Sequence, residues 1–327
     1  MKQRNVGATG DVVGAIGLGG LALSSTYHPT DDETALALMH RAFDIGVTHL
    51  DTADAYGRGH NEQLFGKAIG SRRDSIYLAT KFGQLFTAEG KRIVNGRPEY
   101  VAAACDASLQ RLGCDSIDLY YLHRVDPDVP IEETVGAMAD LVSAGKVRHI
   151  GLTEAAPATV RRAHATHPLA AIQVEYSLWT RFPEDELLGL CDELDIGFVA
   201  YSPLGRGFLS GTIKDVGDLS EGDRRLDHPR FSGESIEKNV ELLQALQDVA
   251  VGHGVAPAQV ALAWVLASSE RTLPIPSTST IAHLEENVAA AEIELTGEEV
   301  EALGAVFAPD AVAGDRYPPV ALRKVQL

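Results

Sequence analysis

Four polar side chains follow three consecutive apolar strand patterns, and their types suit proton transfer. They are Asp51 and Tyr56 after the pattern VTHL, Lys81 after IYLAT, and His123 after IDLYYL. Taken singly, each has an ordinary structural interpretation as a loop residue, half of an ion pair or a core histidine. Because active sites of barrels made of parallel strands lie at the C-terminal strand ends, we expect the four side chains to share one site.

The chemistry that these groups would support is proton donation to a carbonyl oxygen. A buried lysine needs a partner, and Asp51 on the neighbouring strand supplies one. An ammonium beside a phenol favours the phenolate, so we expect Lys81 to lower the pKa of Tyr56 from its ordinary value of about 10. Tyr56 would then exchange a proton near neutral pH. His123 would point a second donor at the same oxygen and stabilise its developing negative charge.

The elements that must position these residues alternate between short apolar strands and amphipathic helices. Counted from AIGL, eight strand–helix units follow one another without a break in composition. This pattern predicts an α/β fold, a closed (β/α)8 TIM barrel, with a short N-terminal β-hairpin and extra C-terminal helices. A doubly wound open sheet is the alternative, but it usually has a second domain and we find no linker. We expect one barrel domain over residues 1–327, with the hairpin at 1–14, a long functional loop at 203–234 and a tail at 307–327.

Composition argues against several classes of partner and site. Lys plus Arg is 28 and Asp plus Glu is 46, for a net charge of −18. Such an acidic chain is a poor general partner for nucleic acid or an anionic membrane. Three scattered cysteines predict neither disulfides nor a metal site, and we expect reduced thiols in a cytoplasmic protein. No signal peptide and no apolar run of about 18 residues is evident.

One glycine motif gives a false signal for a dinucleotide-binding fold. Gly17, Gly19 and Ala22 match the fingerprint G-x-G-x-x-A, which requires a helix to begin at the glycines. Here the helix pattern begins only after Thr30, which we interpret as the N-cap because Glu33 follows three residues later. We therefore expect the glycines to let the backbone approach a pocket.

Seven motifs occur in a fixed order along nearly the whole chain. They are HLDTADAYG (49–57), LATKFG (78–83), DLYYLHRVDP (118–127), GKVRHIGLTEA (145–155), IQVEYSLWTR (172–181), FVAYSPLGRGFLSG (198–211) and IPSTSTIAHLEEN (275–287). As a set they resemble the aldo-keto reductase family, in its microbial and plant branch. The resemblance implies a (β/α)8 barrel, hydride transfer from a nicotinamide cofactor to an aldehyde or ketone, and no metal. It implies Tyr56 as the general acid, tuned by Lys81 and Asp51. His123 would orient the carbonyl.

The resemblance also implies cofactor-binding residues at the later strand ends. The nicotinamide carboxamide would contact Thr153, Glu154 and Gln173, and the nicotinamide ring would stack on Tyr201. The loop that covers the pyrophosphate, at 203–234, would contribute Leu204, Gly205 and Arg206, together with Ser202 just before it. The adenosine end would contact Ser277, Thr278, Ser279, His283, Glu286 and Asn287.

Two positions depart from the family's pattern. Glu154 stands where many members have Asn beside the carboxamide. The adenosine segment has His283 as its only possible cation, whereas many members carry Lys and Arg there to hold the 2′-phosphate of NADPH. Hydroxyls and backbone amides at a helix start still bind phosphate. NADP(H) is therefore the expected cofactor, and NAD(H) is an open alternative.

The substrate and the assembly are the least specific predictions. We expect a small-molecule carbonyl substrate: an aldehyde, a ketone or an oxidised sugar. Aromatic candidates for the pocket are Tyr27, His28, Phe82, Trp179 and Tyr317, each of which is equally well explained by packing. The acidic surface without an evident apolar seam fits a monomer or a weak homo-oligomer.

Two other functions remain open from the sequence. Some members of the family act as cofactor-binding regulatory subunits or sensors on other proteins. A barrel hydrolase with the paired carboxylates Asp51 and Asp54 is a further alternative, but it lacks an identified carboxylate across the barrel. In the reductase interpretation Asp54 is a solvated loop residue.

Overall fold

The structure is a computed structural model that describes residues 1–24, 30–87, 90–323, 325 and 327. Its strands, in chain order, are β1 (Gln3–Asn5), β2 (Val12–Gly14), β3 (Leu18–Gly19), β4 (His49–Asp51), β5 (Tyr77–Phe82), β6 (Gln84–Phe86), β7 (Arg92–Val94), β8 (Ile117–Leu122), β9 (Val147–Thr153), β10 (Ala171–Glu175), β11 (Gly197–Tyr201) and β12 (Thr272–Pro274). Eight of them form one sheet in the order β12-β11-β10-β9-β8-β5-β4-β3, with parallel neighbours. The pairs β1–β2 and β6–β7 are separate antiparallel hairpins.

Helices connect the strands and cover the outside of the sheet. They are α1 (Asp32–Asp44), α2 (His60–Ile69), α3 (Pro98–Leu112), α4 (Ile131–Ser143), α5 (Pro157–Thr166), α6 (Leu187–Leu194), α7 (Gly233–His253), α8 (Pro257–Ala267), α9 (Ile281–Ala289), α10 (Gly297–Val306) and α11 (Pro319–Leu322). In the described part of the chain no single helix has the length and apolar composition to cross a membrane. Only α7 and α8 together meet that test, with a bend of 94° between them.

Two backbone hydrogen bonds join the ends of the sheet and close the barrel. The Gly17 N–H donates to the Pro274 carbonyl at 3.0 Å, and the Gly19 N–H donates to the Pro276 carbonyl at 3.1 Å. A side chain at Gly19 would place its Cβ 2.7 Å from the Ile275 carbonyl oxygen. The glycines of the false fingerprint therefore allow the first and last barrel strands to approach each other. The predicted (β/α)8 fold is confirmed.

Apolar side chains fill the barrel below the strand ends. Every residue of β5 and β8 is buried, as expected for parallel strands that helices cover on the outside. Val6 and Val13, from the segment around the β1–β2 hairpin, pack with Tyr77, Leu119 and Leu273 from three barrel strands. The interior is thus a packed core, and the other end of the strands is left for a site.

Two local features differ from the sequence-based expectations. The N-cap of α1 is Asp31, whose side chain accepts the Thr34 N–H at 2.8 Å, so the assignment of Thr30 is wrong by one residue. A carboxylate is a stronger acceptor than a hydroxyl and suits the positive end of the helix dipole. The β6–β7 hairpin was not anticipated, and it extends the connection between β5 and α3.

Candidate active site

The side chains of Asp51, Tyr56, Lys81 and His123 form one cluster at the carboxyl ends of β4, β5 and β8. The Lys81 ammonium is ion-paired with Asp51, and it also donates to the Thr52 carbonyl at 2.7 Å. It lies 5.1 Å from the centroid of the Tyr56 ring. The rings of Tyr56 and His123 meet edge to face, with centroids 5.8 Å apart. Lys81 and Asp51 are almost fully buried, at 1% and 2% exposure.

Asp51 is held from two sides. One carboxylate oxygen pairs with Lys81, and the other accepts the Gln173 side-chain amide at 2.7 Å. Gln173 is on β10, across the barrel from β4, so this bond fixes the carboxylate from the far wall. A carboxylate with both oxygens engaged keeps its partner ammonium in one place. Gln173, which the sequence places beside the carboxamide, therefore also orients the Asp51–Lys81 pair.

The pKa of Tyr56 is raised, contrary to the expectation from the sequence. Burial raises the pKa, and although the charges of Lys81 and Arg124 oppose it, burial prevails. Burial also acts to lower the pKa of Lys81, but Asp51 and Tyr56 outweigh it and the pKa is raised. At neutral pH the site therefore holds a protonated phenol beside a charged ammonium.

His123 is neutral in this environment. Burial, followed by the charges of Arg124 and Lys81, holds its pKa well below the ordinary range. Its backbone N–H donates to the Phe82 carbonyl at 2.8 Å, which fixes the residue beyond β8. The ring atom Nδ1 is buried and has no hydrogen-bond partner among the described residues. A neutral imidazole carries one N–H, so His123 can donate to a substrate oxygen.

Tyr56 and His123 line a cavity of about 490 Å³, within the usual size range of small-molecule sites. Gln173 and Tyr201 form part of its wall, as does Tyr317 from the C-terminal tail. Both expected hydrogen-bond donors thus face a space large enough for a small carbonyl compound.

Glu154, the departure from the family's pattern, is engaged by the C-terminal tail. Its two oxygens accept from the Arg316 guanidinium at 2.9 and 2.6 Å, and one oxygen also accepts the Tyr201 hydroxyl at 2.8 Å. Burial alone would raise the pKa of Glu154, but Arg316 and Arg124 hold it below its ordinary value. Glu154 does not line the cavity. Its carboxylate therefore anchors the tail to the end of β9.

Four of the other residues expected to contact the nicotinamide and the pyrophosphate line the cavity, and two do not. Thr153, Tyr201, Ser202 and Arg206 line it, whereas Leu204 packs against apolar side chains of the core. Gly205 has a positive φ of 55°, and a Cβ at this position would lie 2.8 Å from the Trp179 ring. Ser202 and Arg206 also have positive φ, at 49° and 59°. The Gly205 and Gly207 N–H groups are used within this turn, where they donate to the Ser202 and Leu204 carbonyls at 2.9 and 3.0 Å. The charged side chain that this segment contributes to the cavity lining is Arg206.

The expected adenosine segment lies at the start of α9, outside the cavity lining. The Ser277 hydroxyl accepts the Ala22 N–H at 2.8 Å, and the Thr280 side chain caps α9 by accepting the His283 N–H. Thr278 and Asn287 are buried, Ser279 is half-buried, and His283 and Glu286 are exposed. Arg41, on α1, is ion-paired with Glu285 at 2.6 Å. Hydroxyls and a helix N-terminus fit a phosphate here.

The aromatic substrate candidates separate into core and cavity residues. Phe82 is fully buried and stacks on Tyr120 at 4.7 Å, and Trp179 stacks on Phe208 at 4.0 Å. Neither lines the cavity, so packing explains both. Tyr317 does line it. Tyr27 and His28 lie outside the described residues.

Asp54 is not the solvated loop residue that the sequence suggested. Its Oδ1 is buried without a hydrogen-bond partner among the described residues. Burial, and then the charge of Glu62, raises its pKa to about 8. Asp54 therefore carries a proton at neutral pH more often than an ordinary carboxyl group.

Sequence reasoning missed three arginines of the cavity lining, Arg92, Arg124 and Arg224, and also Arg316, which pairs with Glu154. Arg124 is the second residue of the HRVDP motif and lines the cavity beside His123. Arg92 lies on the unanticipated β7, where the two β-branched residues of RIV offered a weak strand signal. Arg316 lies in the tail, where no sequence pattern identifies Glu154 as its partner.

Comparisons with known proteins agree with this geometry. The model of the "Aldo/keto reductase family" matches residues 15–307. A "probable aldo-keto reductase 1" from Glycine max is 43% identical over 314 residues, which cover 95% of this chain and 90% of that protein. The chain belongs to the aldo-keto reductase family. As a member, it is an oxidoreductase that uses NAD(P)H to reduce carbonyl groups.

Solved structures extend the likeness. An aldo/keto reductase from Klebsiella pneumoniae, in complex with NADP and acetate, is 28% identical with a TM-score of 0.74, over 97% of this chain and 99% of that one. A glycerol dehydrogenase from Gluconobacter oxydans has a TM-score of 0.87 over 97% of this chain and 98% of its own, at 24% identity. The second likeness concerns the fold alone.

Proposed function

We propose that this aldo-keto reductase reduces an aldehyde or ketone to the alcohol with Tyr56 as the proton donor. The observation that carries the proposal is the pairing of a protonated phenol and a neutral imidazole at one cavity, with a charged ammonium behind the phenol. Tyr56 and His123 line that cavity, and the Lys81 ammonium lies 5.1 Å from the Tyr56 ring.

Each residue of the cluster has a separate role in this reaction. When bound, the nicotinamide cofactor supplies the hydride for the carbonyl carbon. Tyr56 keeps its proton until negative charge develops on the carbonyl oxygen, because its pKa is raised. Lys81 stabilises the phenolate that proton donation leaves, and Asp51 holds Lys81 in position. His123 donates a hydrogen bond to the same oxygen and orients the carbonyl.

Several residues fit the cofactor in this proposal. Tyr201 would face the nicotinamide ring, and the loop around Gly205 would cover the pyrophosphate. Gln173 would contact the carboxamide while it holds Asp51. Glu154 would contribute through Arg316 and Tyr201 instead of through a direct contact. The start of α9 would bind the adenosine end.

NADP(H) is the proposed cofactor, and NAD(H) remains the alternative. The relative from Klebsiella pneumoniae is bound to NADP. In this chain the hydroxyls of Ser277, Thr278 and Ser279 and the N-terminus of α9 support phosphate binding. Arg41, on the neighbouring helix, is already paired with Glu285. We therefore expect a lower Michaelis constant for NADPH than for NADH, but a smaller difference than lysine or arginine in the segment would give.

A substrate panel tests the reaction class. The purified protein is mixed with NADPH or NADH and an activated aldehyde such as a nitrobenzaldehyde, and the loss of nicotinamide absorbance is followed. Turnover with formation of the matching alcohol is the expected result. Binding of the cofactor, seen as fluorescence quenching, without turnover of any carbonyl would contradict the proposal and favour a sensor. A much lower Michaelis constant for NADH would contradict the NADP(H) assignment.

The cellular location and the oligomeric state of the protein remain predictions. Cys105, Cys114 and Cys191 are free thiols, which is consistent with the proposed cytoplasmic location. A monomer or a weak homo-oligomer is still the expected assembly, and light scattering at several concentrations would test it.

A further inference from the structure

The candidate active-site cavity is strongly basic in a chain that is strongly acidic. The whole sequence carries a net charge of −18. The described cavity lining nevertheless includes four arginines and one carboxylate, Asp227. The arginines are Arg92, Arg124, Arg206 and Arg224. A concentration of one sign of charge in a cleft attracts a ligand of the opposite sign.

Arginines elsewhere on this protein are commonly matched to carboxylates. Arg161 and Arg162 each make two bonds to a glutamate at 2.5–2.7 Å. Within the cavity, Arg206 pairs with Glu175 at 2.9 Å. Arg92, Arg124 and Arg224 have no ion pair with a carboxylate in the described part of the chain. The cavity therefore holds three cationic groups that form no ion pair in this part of the chain, although the charge of Glu154 acts on Arg124.

These three arginines converge on the cavity from separate elements. Arg124 follows His123 directly, and its guanidinium is fixed by bonds to the His123 carbonyl at 2.7 Å and the Thr153 hydroxyl at 3.1 Å. Arg92 projects from β7 over the Phe86 ring, with its Cζ 5.6 Å from the ring centroid.

The third arginine, Arg224, lies in a short 3-10 turn of the 203–234 loop. Partial burial and then the charges of Arg224 and Arg124 lower the pKa of Arg92, so these two arginines are close enough to repel it. A guanidinium group stays charged in proteins at neutral pH. Holding like charges together in this way is unfavourable unless an anion joins them.

We propose that the substrate is a small carbonyl compound that carries an anionic group, a carboxylate or a phosphate, bound by Arg92, Arg124 and Arg224. The proposal rests on the proposed function above. The carbonyl reaches Tyr56 and His123 while the anionic group meets the arginines, since all five side chains line the same cavity of about 490 Å³. Planar guanidinium groups match carboxylate and phosphate oxygens with paired hydrogen bonds.

The reaction leaves the anionic group unchanged. A hydride from NAD(P)H adds to the carbonyl carbon, the carbon–oxygen π bond opens, and the oxygen takes the Tyr56 proton, which solvent then replaces. The product is a hydroxy acid or a hydroxyalkyl phosphate, and NAD(P)⁺ is the oxidised partner.

Matched substrate pairs test the inference. Carboxybenzaldehyde is compared with its methyl ester, and glyceraldehyde phosphate with glyceraldehyde. We expect a higher kcat/KM for the charged member of at least one pair, and the pair that shows it distinguishes carboxylate from phosphate. Added salt is expected to reduce this preference, because it screens partly exposed charges. Equal kcat/KM values within both pairs, or a preference for both neutral members, would overturn the inference.

A single variant assigns the preference to the arginines. In Arg92→Gln the ratio of kcat/KM for the charged over the neutral member is expected to fall about 10- to 100-fold, as for loss of a hydrogen bond to a charged group. Arg97→Gln is the matched control: it removes the same charge from an exposed residue outside the cavity lining, and it should leave the ratio unchanged. Arg92→Lys should restore part of the ratio.

Other results would overturn the assignment of Arg92 or the proposed function. An unchanged ratio in Arg92→Gln, or an equal fall in Arg97→Gln, would overturn the assignment. A rise confined to the Michaelis constant of NADPH would overturn it too, because it would assign Arg92 to the cofactor. Reduction of a neutral nitrobenzaldehyde reports separately on the proposed function. If that compound is reduced while no charged member is preferred, only the inference fails; if no aldehyde is reduced, the proposed function fails first.

Discussion

The ion pair between Glu154 and Arg316 should determine how firmly the C-terminal tail is attached. Glu154 is 1% exposed and Arg316 is 7% exposed. Arg316→Met would remove the cation and leave the carboxylate buried, which costs about 3–5 kcal/mol of unfolding free energy for a broken buried pair. Methionine keeps an apolar stem near the Phe182 ring, 4.4 Å from the native guanidinium carbon. The loss would therefore be mainly electrostatic.

A double-mutant cycle isolates that electrostatic part. Glu154→Gln removes the buried charge, and the Tyr201 hydroxyl can still donate to the glutamine oxygen. We expect the double variant Glu154→Gln, Arg316→Met to be more stable than Arg316→Met alone, because no unpaired charge remains buried. Since the pKa of Glu154 is below its ordinary value, the stabilisation is present at neutral pH and is lost as acid protonates the carboxylate.

Urea unfolding at neutral pH measures all members of the cycle. Arg323→Met is the control in the same tail; Arg323 is exposed, so its replacement should change the unfolding free energy by no more than about 0.5 kcal/mol. The Michaelis constant for the carbonyl substrate should also rise in Arg316→Met, because the adjacent Tyr317 lines the cavity and its hydroxyl bonds to Tyr201 at 3.0 Å. An Arg316→Met protein as stable as wild type would refute this reasoning. So would a double variant less stable than that single variant.

Three other changes have definite expected results. Lys81→Met should lower kcat/KM by about 100-fold or more and alter its pH profile, because the phenolate loses its ammonium; steady-state kinetics across pH would measure this. Burial raises the pKa of Asp54 to about 8, so the folded protein loses stability as pH rises from about 4 to about 8. Near pH 8, Asp54→Asn should therefore raise the Tm by about a few °C. Near pH 4 this gain should vanish, because Asp54 is then protonated in the unfolded chain as well. Gly19→Ala should cost about 1–3 kcal/mol, because the new Cβ would lie 2.7 Å from a backbone oxygen beyond β12. Its control, Gly136→Ala on α4, meets nothing within 4 Å and should be neutral or stabilising.

The fold and the position of the four clustered side chains were readable because both depend on local patterns. Apolar strand runs and helical periodicity repeat along the chain, and polar residues interrupt them at the strand ends. In a parallel barrel those ends meet, so Asp51, Lys81 and His123 had to lie close together. Their distances and burial required the structure.

Other features depend on partners that are distant in sequence. Glu154 and Arg316 are separated by 162 positions, and no pattern in either segment indicates that they pair. The direction of the Tyr56 pKa shift was wrong, because sequence reasoning included the charge of Lys81 but not the degree of burial. Gly17 and Gly19 matched a dinucleotide-binding fingerprint by composition. In the fold they instead allow the first barrel strand to approach β12 closely.

The most direct test of the account is the replacement Tyr56→Phe, assayed on an activated aldehyde with cofactor binding measured in parallel. Tyr77→Phe is the control, because it removes a buried hydroxyl that has no hydrogen-bond partner among the described residues. The account predicts a fall in kcat of about 10²- to 10⁴-fold for Tyr56→Phe, as for loss of a general acid. It also predicts unchanged cofactor affinity in that variant and near-normal turnover in the control. Turnover by Tyr56→Phe at the wild-type rate would contradict the assignment of Tyr56 as the proton donor.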